Sequence, residues 1–365
     1  MKVECIKEKI RNAVSLAEKI TGKNLTLPVL STILLIVKDK VIKIRSTNLD
    51  LGIEIEVPAK VNKEGIIAVQ GIILNSFLSN IYDTTVILES INNNLSITTN
   101  NSSTLIKSNP HDDFPTLPNI SQGQSFTLPA QKLITGLKSV WYSAGTSDIK
   151  PEISSINIYT DSGNIIFVAT DSFRLAEKKI SFSYKEEISS ILIPFKNISE
   201  VIRAFTDLPG DVIVRFNGNQ ISFQHDGIYL TSRLIDGTFP DYKQILPKGF
   251  KTEAIVLKQD LINSLKITHL FADKFNQINI KINPRDKFFR LCSKNFDIGE
   301  NVVKVDAALS GDPVDLNFNY KYIFDCFQSI TKDSVSLQFN GESQPLIMQG
   351  VGDRTFTYLI MPLNQ

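Results

Sequence analysis

The chain has 365 residues, 42% of them hydrophobic and 21% charged, the balance of a globular protein able to bury several cores. Lys plus Arg number 39 against 38 Asp plus Glu, which excludes a strong overall field, so attraction to a polyanion must come from local arrangement. No apolar run approaches the ~20 residues of a membrane span. Met1-Lys2-Val3-Glu4-Cys5 opens without an apolar signal region, and Cys5, Cys292 and Cys326 are too scattered for a disulfide framework, so a reducing, cytoplasmic setting is expected.

Six helix-like segments follow in order, beginning near Glu4, Val69, Pro129, Pro194, Leu257 and Asn319, about 60–65 residues apart. The second, Val69 to Asp83, contains no lysine or arginine. In the third, Leu133, Leu137 and Val140 share one helical face. In the fourth, Ile198, Val201, Ile202 and Phe205 recur at helical spacing between Lys196, Glu200 and Arg203, and Pro194 suits a first helical turn. Asp207 marks its exit. The next run alternates, with Val212, Val214 and Phe216 on one side and Ile213 and Arg215 on the other, and Asn217-Gly218 predicts a hairpin. Leu261 and Leu265 mark the fifth face; Ile323, Phe327 and Ile330 mark the sixth, which exits at Asp333 before another turn at Asn340-Gly341.

A tighter repeat spans pairs of these units. Val86-Ile87-Leu88, Val212-Ile213-Val214 and Val335-Ser336-Leu337 each precede an Asn-rich turn and a second apolar run. Asn48-Leu49-Asp50, Asp171-Ser172-Phe173 and Asn295-Phe296-Asp297 repeat at the same period. The chain therefore reads as three α+β domains, 1–123, 124–248 and 249–365, each a pair of helix-plus-antiparallel-sheet units. His111, His225 and His269 are isolated, no Cys or His pair has metal-ligand spacing, and no phosphate loop is present. Asp171-Ser172 beside Arg174 has no histidine near it in sequence and reads as a turn, not a nucleophile site. No catalytic residue, metal or cofactor is expected.

Ordered motifs then become specific: Thr26-Leu27-Pro28-Val29-Leu30, Thr47-Asn48-Leu49-Asp50, Asp113-Phe114-Pro115-Thr116-Leu117-Pro118, Ala169-Thr170-Asp171-Ser172-Phe173-Arg174-Leu175-Ala176, Asp236-Gly237-Thr238-Phe239-Pro240-Asp241-Tyr242 and Met361-Pro362-Leu363. On these, the whole chain resembles the bacterial DNA polymerase III beta-subunit family, the sliding clamps. The resemblance implies the DNA clamp fold, closed head-to-tail into a dimeric ring with helices lining a hole for duplex DNA. It implies a processivity factor that tethers the polymerase III alpha subunit, and that meets the clamp loader, other polymerases and repair proteins through short linear peptides. Geometry agrees with two chains. Six helices spaced ~10 Å apart leave only about 9 Å clear, less than the ~12 Å of one major groove, whereas twelve leave about 28 Å. The rival reading is a monomeric β-rich repeat scaffold that binds proteins without DNA.

A sliding ring needs basic side chains that attract phosphates without reading bases. The candidates are Lys7, Arg11, Lys132, Lys138, Lys196, Arg203, Lys258, Lys266 and Lys321 on helices, with Lys23 in the turn after the first. Any one alone reads as a solvated lysine or arginine; recurrence across the units favours the functional reading. The partner-peptide pocket, carried over by motif, comprises Ile153, Thr170, Ser172, Phe173, Arg174, Leu175, Pro240, Gln244, Ile245, Leu359, Met361, Pro362 and Leu363. Leu175, Ile245 and Met361 are expected to wall an apolar anchor, and Arg174 to orient a peptide carbonyl or carboxylate. Ser172 stands where the family usually has glycine, Phe173 where it has histidine or tyrosine, and Gln244 where arginine is frequent, so a shifted, more apolar preference is expected. Thr104, Ile106, Leu270, Phe271 and Lys274 match the family's dimer interface, and the polar Ser102-Ser103-Thr104 run predicts a weaker dimer.

Overall fold

A computed structural model describes every residue except 23–26, 148, 184–186, 248 and 364–365. Six helices stand within three residues of their expected starts: α1 (Lys7–Ile20), α2 (Gly71–Asn80), α3 (Ala130–Val140), α4 (Phe195–Phe205), α5 (Lys258–His269) and α6 (Tyr320–Asp325). Each follows a strand with no intervening loop. Pro194 is the last residue of the strand Ile191–Pro194, not part of a helical turn, and the Phe195 N–H that opens α4 donates to the Ser154 carbonyl at 2.9 Å. The sixth helix is shorter than its apolar spacing suggested. It passes at Cys326 into a 3₁₀ turn, although Phe327 and Ile330 are still buried.

Two compact units make up the chain. Unit 1 comprises 1–134 and 196–234, and unit 2 comprises 135–195 and 235–365. Unit 1 holds a five-stranded sheet in the order Lys60–Lys63, Lys2–Ile6, Thr85–Ile91, Asn94–Thr98, Ser103–Ile106. Its nine-stranded sheet joins two of the sequence repeats where Leu51–Pro58 pairs antiparallel with Ile228–Arg233, Leu51 facing Ser232 and Ile55 facing Ile228. Unit 2 holds a four-stranded sheet, Gly299–Lys304, Phe288–Asn295, Gln277–Asn283, Val314–Asn319. Its own nine-stranded sheet joins repeats where Arg174–Ser181 pairs with Phe356–Ile360, Arg174 facing Ile360. These shared sheets make the compact units cut across the threefold repeat.

The repeat survives at the level of single bonds. The first N–H of α1 donates to the Thr84 carbonyl (2.9 Å), that of α3 to Gly210 (2.9 Å) and that of α5 to Asp333 (2.7 Å), each acceptor lying one residue before a strand. The alternating run is realised: Val212, Val214 and Phe216 are buried while Ile213 and Arg215 face outward. The hairpin after it is closed by Asn217, whose Oδ1 accepts the N–H groups of Asn219 (3.0 Å) and Gln220 (2.9 Å).

Candidate functional site

In unit 2, Thr170 to Arg174 form a tight turn between two sheet strands. The Thr170 hydroxyl donates to the Arg174 carbonyl (2.7 Å) and accepts the Ser172 N–H (3.1 Å), while Asp171 Oδ1 accepts the N–H groups of Phe173 (2.9 Å) and Arg174 (3.0 Å). Thr47 and Asn48 build the same turn in unit 1: Thr47 Oγ1 bonds Leu51 O (2.8 Å) and the Leu49 N–H (3.0 Å). Both turns hold a non-glycine residue at φ +78°, Ser172 and Leu49, in the left-handed region. The turn pushes Phe173 outward, 59% exposed, and its carbonyl accepts the Met361 N–H at 2.8 Å. The chain end thus lies along the turn, and Leu363 N–H bonds Asn317 O at 2.8 Å.

Beneath lie Val168, Leu175, Leu192, Phe239, Tyr242, Ile347 and Leu359 in one buried cluster. Phe239 and Tyr242 come from the segment that carries Pro240 and continues into the 3₁₀ turn Tyr242–Ile245. The Tyr242 hydroxyl donates to the buried Glu177 carboxylate and lies 2.7 Å from the Tyr159 hydroxyl. Burial, then the Glu177 charge, pushes the Tyr242 phenol far above its usual range. Lys243 bonds Asp161 at 2.6 Å and holds its carboxyl below the usual range.

The structure brings the rim residues Ser172, Phe173, Pro240, Gln244, Ile245 and Met361 to the surface, with Ile153, Arg174, Pro362 and Leu363 half-buried and Thr170 buried in its turn. Two expectations change. Leu175 and Leu359 are fully buried, so they underlie the site and do not wall it. Arg174 is already engaged: Nε bonds Asp171 Oδ2 (2.8 Å), Nη1 bonds Asp325 Oδ2 (2.6 Å), and the guanidinium lies 4.5 Å over the Tyr322 ring. It is a strut between turn and α6, not a free hand for a peptide. Gln244 is likewise tied to Asp241 at 2.7 Å. The unit 1 junction offers no such rim. Gly52 stands where Leu175 does and Leu117 packs over it, while Ile120, the counterpart of the 52% exposed Ile245, is 4% exposed. A cavity of about 470 Å³ in unit 1, lined by Arg45, Glu54 and Tyr229 among others, shares no residue with the peptide candidates.

The helices segregate charge. They carry 11 Lys and Arg against 5 Asp and Glu, while the rest of the chain carries 28 against 33. Lys132, Lys138, Lys196, Arg203, Lys266 and Lys321 are exposed, Arg11 half so. Lys7 is 8% exposed with its ammonium on Glu8 (2.6 Å), and Lys258 is half-buried and bonds the Ile330 carbonyl. Both fall out of the exposed set, because each begins its helix in phase with the buried stripe (Ile10, Val14 and Ala17; Leu261, Leu265 and Thr268). That phase was legible in the sequence and points instead to Lys9, which is exposed, outside the buried stripe of α1. Lys23 lies outside the described residues.

Among the edge strands of the described residues are Ser103–Ile106 in the five-stranded sheet of unit 1 and Gly299–Lys304 in the four-stranded sheet of unit 2. Ile106 is buried and Thr104 half-buried; the residue that faces outward is Leu105, 59% exposed. At the other edge Val302 is 60% exposed and Ile298 similarly open. Leu270 and Lys274 are exposed, and the half-buried Phe271 ring stands 3.8 Å from where a Gly299 Cβ would lie.

Comparison with known proteins bears on the fold and the family. Residues 1–118, 127–241 and 243–364 match the N-terminal, central and C-terminal domains of the DNA polymerase III beta subunit. The chain is 25% identical to the beta sliding clamp of Synechococcus elongatus, covering 100% of this chain and 99% of that protein. It superimposes on the DNA polymerase III beta subunit of Thermotoga maritima with a TM-score of 0.93 at 26% identity, covering 100% of this chain and 99% of that one. The Bacillus subtilis sliding clamp shares the fold at a TM-score of 0.93 and 22% identity, with the same coverage. No helix among the described residues is long and apolar enough to cross a membrane. With the three-domain clamp fold and these matches along its length, the chain belongs to the DNA polymerase III beta-subunit family, the non-catalytic sliding clamps that give the polymerase its processivity.

Proposed function

We propose that the chain closes as a head-to-tail dimeric ring, with the exposed helix cations facing duplex DNA and the Phe173–Ile245–Met361 rim taking short partner peptides. One observation carries the ring. Two repeat junctions are made inside the chain by the same strand pairing, Leu51–Pro58 with Ile228–Arg233 and Arg174–Ser181 with Phe356–Ile360. In the third repeat, Gly299–Lys304 follows the Asn295 turn as those first partners follow theirs. In the first repeat, Ser103–Ile106 holds the place of the second partners, since Leu95 faces Ile106 as Ile221 faces Ser232 and Leu346 faces Ile360. The pairing that completes the series is between these two edges of different copies, a heterologous contact that closes when two chains meet twice. Edge strands with outward Leu105 and Val302 are otherwise an aggregation hazard.

The excess of cations on the helices supports DNA contact there, and α2, without Lys or Arg, adds little attraction. The apolar rim supports peptides anchored by leucine or phenylalanine, the polymerase alpha subunit and the clamp loader being the expected bearers. The domain limits 1–123, 124–248 and 249–365 go with this reading. Mass in solution, followed by retention on nicked circular against linearised DNA after loading, tests it. Dimers held on circles and lost from linear ends are expected; a stable monomer with no topological retention favours the protein-only scaffold.

A further inference from the structure

The exposed cations of the helices are not equally available. Arg203 is bonded to Glu200, whose other oxygen accepts the Ser199 hydroxyl at 3.3 Å. Lys196 is paired with Asp50 at 2.7 Å. Arg11 is paired with Glu8 at 2.7 Å, and the same Glu8 holds Lys7. By contrast, Lys138, Lys266 and Lys321 have no carboxylate within ion-pair distance among the described residues. A carboxylate in contact with a guanidinium or ammonium competes with phosphate for the same N–H donors and cancels the charge seen at a distance. Pairs of this kind near the surface contribute little to folding. Their effect falls on what the cation can bind.

We propose that Glu200, Asp50 and Glu8 are positioning residues that restrain Arg203, Lys196 and Arg11, keeping phosphate contact weak enough for the protein to slide. This rests on the reading that these helix cations face DNA. Each acid holds its cation in a pair that a passing phosphate exchanges with at small net cost, so no fixed register develops on the duplex.

The test is binding of the intact protein to a short linear duplex with free ends, by fluorescence anisotropy across a salt series, with one-dimensional diffusion of the loaded protein as second readout. Glu200→Gln and, independently, Asp50→Asn are expected to tighten binding about 2- to 5-fold. Each is expected to steepen the slope of log K against log salt by about 0.9 per added phosphate contact and to slow diffusion. Glu64→Gln, an exposed acid off the helices, controls for net charge. Equal tightening by Glu64→Gln, or unchanged affinity and slope in both paired variants while Arg203→Ala weakens binding, overturns the restraint alone. No effect of Arg203→Ala or Lys196→Ala overturns the DNA-facing reading and the restraint with it.

Discussion

Ser172 sits at φ +78°, where an L-residue with a Cβ is strained by roughly 1–2 kcal/mol and glycine is not. Ser172→Gly relieves that strain but frees the unfolded chain by about 0.4–1 kcal/mol. The expected net is a gain of about 0.5–1 kcal/mol in denaturant unfolding, and a loss there would show that the turn is not strained. Met361→Ala removes the thioether from the rim and is expected to weaken binding of a leucine-anchored peptide about tenfold by titration, one decade being about 1.4 kcal/mol. Unchanged affinity removes Met361 from the site. Lys243 depresses the Asp161 carboxyl, so their bond contributes above the usual aspartate range, near pH 4, and is lost as pH falls through the lower folded value. The Asp161 side-chain carboxyl resonance should titrate below that range, and in Lys243→Met move back toward it, the Ser162 hydroxyl bond remaining. At this scale the turn motif was readable from Asp171 and its neighbours. That Arg174 is taken by Asp325 was not, because the two are 151 residues apart and only the fold joins them.

Helix phase decides which cations face out. Lys7→Met is expected to leave DNA retention unchanged, since its ammonium is buried on Glu8, whereas Lys9→Glu and Arg203→Glu lower it several-fold. Substituting Ser76 of α2 with alanine should change little; an equal effect would contradict the map of cations. The helices themselves were legible because each follows a β-run and carries an apolar stripe. Their exact starts were not, because the strand before each one runs straight into it. Pro194 shows why: its fixed φ suits a strand end as well as a first turn. Charge read without phase does not place the buried Lys7 or the half-buried Lys258, and only the period-2 alternation of the strand separates buried Ile106 from exposed Leu105.

Threefold duplication was the most legible property of the whole molecule, since turns and strand runs recur at one period. Grouping into compact units was not, because it depends on which strands fuse two repeats into a long sheet. If the third junction forms between copies, Leu105→Asp or Val302→Asp should give monomers by light scattering with unchanged circular dichroism, and DNA retention should vanish with the dimer. A variant that stays dimeric would move the interface elsewhere.

The pair of turns at Leu49 and Ser172 supplies an internal control within one polypeptide. Both hold a non-glycine residue at φ +78°, but only one is followed directly by the exposed Phe173. Glycine at position 49 therefore reports backbone relief by itself, and any difference in ligand response between the two replacements belongs to recognition.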